Sequence, residues 1–144
     1  MPTVILASCL LVLCTTILHY EVLRTLNARL PALRMPSRAK LVVVILAAFV
    51  THAVEIVLYG LALYGLITWF GAGGLDGAPE LSLANCLYFS AETYTSLGFG
   101  DLSPVGPVRL LAGVEALNGL LLIGWSASFT YISMERFWGP RARA

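Results

Sequence analysis

Three long apolar runs dominate the chain, and two polar stretches of different character separate them. Thr3 to Tyr20 carries no Asp, Glu, Lys or Arg over 18 residues, close to the roughly 20 that a helix needs to cross a bilayer core. Leu41 to Phe70 is longer, at 30 residues, and is interrupted only by His52 and Glu55. At about 1.5 Å per residue such a helix exceeds the hydrocarbon thickness, so it should tilt or project beyond it. Val108 to Met134 forms the third run and contains Glu115 and Asn118. Tyr64, Trp69 and Phe70 fit an aromatic anchor at the membrane interface.

The first polar stretch, Glu21 to Lys40, is basic and broken by Pro31 and Pro36, so it reads as a loop with one short interfacial helix over Glu21 to Leu30. The second begins with a glycine-rich loop, Gly71 to Leu81. Ser82 can then cap a short helix running to Tyr94, because its hydroxyl can accept from a first-turn N–H. That helix is too short to span. A short apolar helix followed by irregular backbone at membrane depth is a re-entrant loop, tolerated only where protein or a water-filled pore surrounds it.

Composition turns these runs into membrane spans. Hydrophobic residues make up 58% of the chain and charged residues 12%, against about a quarter charged in soluble domains. A net charge of +1 gives no nucleic-acid footprint. Arg24, Arg29, Arg34, Arg38 and Lys40 lie in the first loop, and Arg136, Arg141 and Arg143 follow the last span. Placing both groups in the cytoplasm puts the N-terminus and the Gly71 to Pro107 excursion outside. The arginines of the first loop lie outside the spans, unlike those of a voltage sensor. Cys9, Cys14 and Cys86 make neither a disulfide framework nor a metal spacing. Leu6-Ala7-Ser8-Cys9 imitates a lipoprotein cleavage box, but no basic segment precedes it and the apolar run continues past it.

The segment after the short helix reads Thr95-Ser96-Leu97-Gly98-Phe99-Gly100-Asp101. It resembles the selectivity-filter signature of the potassium channel pore-domain family, usually Thr-Thr-Val-Gly-Tyr-Gly-Asp, and the likeness extends over Leu83 to Phe129. A dehydrated potassium ion needs a cage of oxygens, which backbone carbonyls supply without fixed charge. Aligning successive carbonyls requires some residues at positive φ, which Gly98 and Gly100 adopt at no steric cost. The resemblance implies that Ser96, Leu97, Gly98 and Phe99 would hold K+ through carbonyl oxygens, with the Ser96 hydroxyl adding the innermost site. It also implies support from Thr95, Gly100, Asp101, Glu92 and Tyr88, with Glu92 and Asp101 sharing a proton. The C-terminal end of the short helix, partly negative, favours a cation beside Thr95. One loop offers too few oxygens, so a homotetramer follows.

Three filter positions depart from the family pattern: Ser96 replaces threonine, Leu97 valine and Phe99 tyrosine. Phe89 stands where related channels often place a tryptophan that bonds that tyrosine. Both polar partners are thus absent together, and ring packing should take their place. Gly119 aligns with the family's inner-helix hinge glycine, although small residues also serve close helix packing.

Ionisable groups inside spans are functional candidates. His52 and Glu55 share a helix face, either as a hydrogen-bonded lock against a neighbouring helix or as a proton-sensitive latch. Glu115 and Asn118 repeat that spacing, either contacting the short helix or facing the cavity. Ser126, Ser128, Phe129 and Thr130 are candidates to line the cavity or gate. No nucleophile–base pair is visible, and His19 and His52 lie on separate segments, so neither an enzyme nor a transition-metal cluster is expected.

The expected fold is an all-α membrane protein with three transmembrane helices, a re-entrant pore helix and a filter loop in a tetrameric pore. Residues 1–20 form the first transmembrane helix and 21–40 the basic cytoplasmic loop. The pore domain is 41–134, with outer helix 41–70, pore helix 82–94, filter 95–101 and inner helix 108–134; residues 135–144 form the cytoplasmic tail. The expected function is passive, potassium-selective conduction by a multi-pass cell-membrane protein whose partners are its own copies, lipid and K+, with no organic cofactor. The alternatives are a weakly selective cation channel and a non-conducting accessory subunit.

Overall fold

Helix α1 runs Pro2–Arg29 and passes through a 3-10 turn at Leu30–Ala32 into α2, Ser37–Phe70. These are followed by strand β1 at Gly74–Asp76, helix α3 at Leu83–Tyr94, strand β2 at Ser103–Val105 and helix α4 at Val108–Trp138. The structure, a computed structural model, describes residues 1–138; residues 139–144 of the expected tail, with Arg141 and Arg143, lie outside them. The segments Pro2–Ala32, Ser37–Phe70 and Val108–Trp138 are long and apolar enough to cross a membrane. Together with the short α3 they make the protein predominantly helical.

Three boundaries differ from the sequence expectation. The helix expected over Glu21 to Leu30 is not a separate element but continues α1 to Arg29, because the stretch up to Arg29 contains no glycine or proline. An Arg24–Glu21 ion pair at 3.1 Å lies along its exposed face. The helix stops before Pro31, which has no N–H to donate and whose ring would press on the preceding turn. The connection is then held by Lys40, whose ammonium donates to the Pro31 carbonyl at 3.0 Å. Helix α2 begins at Ser37, four residues before Leu41, and α4 extends four residues beyond Met134, to Trp138.

Helix α2 ends at Gly71, in the left-handed region at φ 57°, and the Ala72 N–H returns to the Leu66 carbonyl at 3.1 Å. This is a glycine-terminated cap that satisfies a late carbonyl. Ser82 caps α3 by accepting from the Asn85 N–H at 3.1 Å. The glycine-rich loop contains structure that its sequence did not announce. Gly74, Leu75 and Asp76 pair antiparallel with Val105, Pro104 and Ser103. The pairing requires bare glycine on either side of β1. A Cβ on Gly73 would lie 2.0 Å from the Val105 carbonyl oxygen, and one on Gly77 would lie 2.0 Å from that of Asp101.

The core lies where α2, α3 and α4 meet, around Tyr59, Leu63, Cys86, Phe89, Tyr94, Val108 and Leu111, with Val4 of α1 closing one side. Gly60 lets α2 approach α3 closely, since a Cβ there would meet the Leu87 side chain at 2.8 Å. Outward faces stay apolar, as at Leu6, Leu10, Phe49, Val50 and Trp69, which suits a surface solvated by lipid. The Arg136 guanidinium donates to Asn27 at 3.0 Å, and the Lys40 ammonium sits 5.4 Å from the centre of the Phe137 ring. The end of α1, the start of α2 and the end of α4 therefore share one end of the bundle.

Candidate functional site

Beyond the end of α3 the backbone alternates in hand. Ser96, Gly98 and Gly100 have φ of 57°, 56° and 80°. Among the described non-glycine residues only Ser96 is at positive φ, so Leu97 and Phe99 between these positions are not. Positive φ is uncommon for a residue with a side chain, and here it falls on the residue whose hydroxyl had drawn attention. Residues 95–101 are all exposed in the single chain, with Leu97 at 61% and Phe99 at 67%.

Glu92, buried in α3, holds this loop from behind. Its backbone carbonyl accepts from the N–H groups of Leu97 at 2.9 Å and Gly98 at 3.3 Å. Its carboxylate accepts from the Phe99 N–H at 3.2 Å. The Ser96 N–H donates to the Thr93 carbonyl at 3.0 Å, and the Thr95 hydroxyl donates back to Ala91 at 2.8 Å. Further along, the Tyr88 hydroxyl donates to Asp101 at 3.3 Å. Partial desolvation, then the Asp101 carboxylate, raise the Tyr88 phenol above its ordinary range, keeping it a donor at neutral pH.

Polar connections at Ser90 and Tyr94 anchor α3 from the spans. Ser90 donates to the Ile56 carbonyl of α2 at 2.8 Å and also contacts the Glu115 carboxylate of α4. Gly119 of α4 passes so close to Tyr94 that a Cβ would lie 2.2 Å from its carbonyl oxygen. The Tyr94 hydroxyl reaches Glu55 of α2 at 2.5 Å. Glu55 is also 3.0 Å from Nδ1 of His19 and 3.0 Å from Nδ1 of His52, and Nε2 of each imidazole lies 3.1 Å from the Ser126 hydroxyl of α4. Asn118 donates to Thr15 of α1 at 2.8 Å and to Tyr59 of α2 at 3.1 Å. Every buried side-chain nitrogen and oxygen among the described residues has a partner. Unpaired polar groups are costly at this depth, so these bonds dictate how the helices sit.

Comparison with known proteins gives this arrangement a family. Residues 39–136 match the model of a family described as "Ion channel". The chain belongs to that ion channel family. Over 89 residues it is 30% identical to the inward rectifier potassium channel Kirbac3.1 of Paramagnetospirillum magnetotacticum. The aligned segment covers 61% of this chain and 30% of that relative. No solved structure matches the chain.

Against this family background, the residues singled out in the sequence divide into groups. Ser96, Leu97, Gly98, Phe99 and Gly100 form one exposed loop beside Thr95 and Asp101, with Glu92 and Tyr88 behind it. The carboxylate of Glu92 turns to the Phe99 amide and Asp101 turns to Tyr88, so each has a partner other than its fellow acid. Phe89 is buried while Phe99 is exposed in the single chain.

In the spans, Glu115 lies against α3, whereas Asn118 bonds to α1 and α2. His52 and Glu55 do pair, but within a larger cluster. The separate segments carrying His19 and His52 converge, with ligand atoms of His19, His52 and Glu55 all within 4.8 Å of one another. That overturns the ground on which a metal cluster had been set aside. Ser126 likewise faces the two histidines and not a cavity. The sequence did contain a signal for His19. The buried residues of α1 include Ser8, Thr15 and His19 alongside Val4 and Leu23, a polar stripe at helical spacing in an otherwise apolar run.

Proposed function

We propose that four copies of the chain surround one axis and conduct K+ passively through a pore lined by the carbonyls of Ser96, Leu97, Gly98 and Phe99. The observation that carries this reading is the alternation of positive φ at Ser96, Gly98 and Gly100. Reversing the hand at every second residue turns successive carbonyl groups toward the same side, and a column of such oxygens can replace the hydration shell of the ion. The Ser96 hydroxyl adds an oxygen at the inner end. The α3 carboxyl terminus ends at this loop, where its partial negative charge favours a cation.

One chain offers a single wall of this column, and Leu97 and Phe99 stand exposed in it. Packing against neighbouring chains would cover both. The likeness to a potassium channel supports the choice of ion. The shared end of α1, α2 and α4 carries the basic residues and faces the cytoplasm, which places the loop at the outer side. Gly119 serves close packing against α3, with Glu115 fixing Ser90 beside it.

Liposomes containing the purified chain test the reading by K+ flux with Na+ as competitor. Selective K+ uptake supports it. Equal K+ and Na+ permeation would replace it with the weakly selective channel, and absence of flux from intact tetramers would favour an accessory subunit.

A further inference from the structure

The His19, His52, Glu55, Tyr94 and Ser126 cluster joins α1, α2, α3 and α4 inside the bundle. Its hydrogen bonds pose a problem of proton supply. His19 and Glu55 are fully buried, Tyr94 is 0% exposed and Ser126 only 7%. His19, Glu55, His52 and Ser126 form a ring with four edges, of 3.0, 3.0, 3.1 and 3.1 Å. Two neutral imidazoles and one hydroxyl bring three protons to those four edges. An ionised Glu55 brings none, and Tyr94 spends its own proton on Glu55. With both imidazoles neutral, one edge would then set two acceptors face to face in a buried site, and either a fourth proton or a cation is needed there. The Nδ1 of His52 is crowded as well, with Glu55 at 3.0 Å and the Tyr94 hydroxyl at 2.9 Å.

The geometry points to a divalent transition-metal site, with Zn2+ the representative ion, held by Nδ1 of His19, Nδ1 of His52 and the Glu55 carboxylate, with the Tyr94 oxygen beside them. A metal resolves the proton count. With each Nδ1 bound to the ion, each Nε2 carries its proton, and both donate to Ser126, whose oxygen has two lone pairs. That is the outer hydrogen bond that fixes metal-bound histidines. The spacing is also right. Ligands about 2.0–2.2 Å from a tetrahedral Zn2+ lie roughly 3.3–3.6 Å apart, so the 3.0 Å His–Glu separations need only a small outward relaxation. Two imidazoles and a carboxylate suit Zn2+, Co2+ or Ni2+ rather than Mg2+ or Ca2+, which favour all-oxygen sites. Glu55 contributes one negative charge, and Tyr94 a second if binding displaces its phenolic proton to water. His52, with a side chain 18% exposed, gives the ion a way in. A bound metal would lock α1 to the residue that directly precedes the 95–101 loop.

The test uses the full chain, purified in detergent and stripped with chelator, with Co2+ as a spectroscopic probe and Zn2+ as competitor. The expected result is about one Co2+ per chain with visible absorption of a low-coordinate site, abolished by Zn2+ and unaffected by Mg2+, and a rise in Tm on adding Zn2+. His19→Gln, His52→Gln and Glu55→Gln should each weaken binding at least tenfold. Ser126→Ala should weaken it by roughly tenfold through the lost outer bonds. Cys9→Ser with Cys14→Ser should leave it unchanged. A folded, stripped wild-type chain that shows neither stoichiometric binding nor a Tm response overturns the proposal, whether or not any variant folds. So does undiminished binding in a folded His19→Gln, His52→Gln double variant. Neither readout involves ion flux, so the result is independent of conduction.

Discussion

The Glu92 carboxylate accepts from the Phe99 N–H at 3.2 Å while the same residue's carbonyl accepts from Leu97 and Gly98. One buried residue of α3 thereby holds three consecutive amides of the exposed loop. With those N–H groups turned back toward Glu92, the carbonyls of the loop are free to serve another partner.

Replacing Glu92 tests that division of labour. Glu92→Ala keeps both backbone bonds but removes the side-chain bond to Phe99 and leaves that N–H without its acceptor, a loss of about 1–3 kcal/mol. We expect flux assays on this variant to show K+ over Na+ discrimination reduced about tenfold or more, with Glu92→Gln between it and the wild type because an acceptor oxygen remains. Tyr88→Phe removes only an exposed bond to Asp101 and should change the Tm little.

The approach of α4 to α3 depends on a missing side chain. A Cβ at Gly119 would fall 2.2 Å from the Tyr94 carbonyl oxygen, whereas nothing lies within 4 Å of one at Gly124. Gly119→Ala should destabilise the protein by about 1–3 kcal/mol, as overpacking does, and Gly124→Ala in the monomeric chain by no more than about 0.5 kcal/mol. Thermal denaturation in detergent distinguishes the two.

Much of this could be read from the chain, and what could not has a common cause. The spans are contiguous apolar runs, and the short α3 follows from its length and from Ser82. The loop is recognisable from Gly98 and Gly100. Positive φ at Ser96 was missed because serine does not signal it. Strands β1 and β2 have three residues each, too few for alternation to show. The His19–Glu55 and His19–Ser126 contacts join residues 36 and 107 positions apart, and no local period carries such information. The extension of α1 past Tyr20 was hidden by charge, which marks the membrane boundary but does not end a helix.

The ribbon of β1 and β2 gives a second steric test. Gly77 sits at φ 92° with the Asp101 carbonyl against it, while Gly74 has only the Val105 side chain at 3.6 Å. Gly77→Ala should release the segment after the loop, seen as faster amide exchange at Leu102 to Val105. Gly74→Ala should leave exchange there close to that of the wild type.

Asn118, like Ser126, is a polar bridge from α4 to both outer helices. Interhelical bonds of this kind are worth about 0.6 kcal/mol on average in membranes. Asn118 makes two, to Thr15 and Tyr59, so Asn118→Ala should cost about 1 kcal/mol. The change should also speed amide exchange in α1 around Thr15, where that helix would loosen.

The proposed pore for potassium is lined by the alternating loop at Ser96, Gly98 and Gly100. Its most direct measurement is K+ flux into liposomes holding the purified full chain, run against Na+ and compared with Gly98→Ala, which places a side chain at φ 56°. K+ uptake should exceed Na+ uptake by at least tenfold and be lost in Gly98→Ala. Flux that does not distinguish the two ions, or that is the same in folded Gly98→Ala, would contradict it.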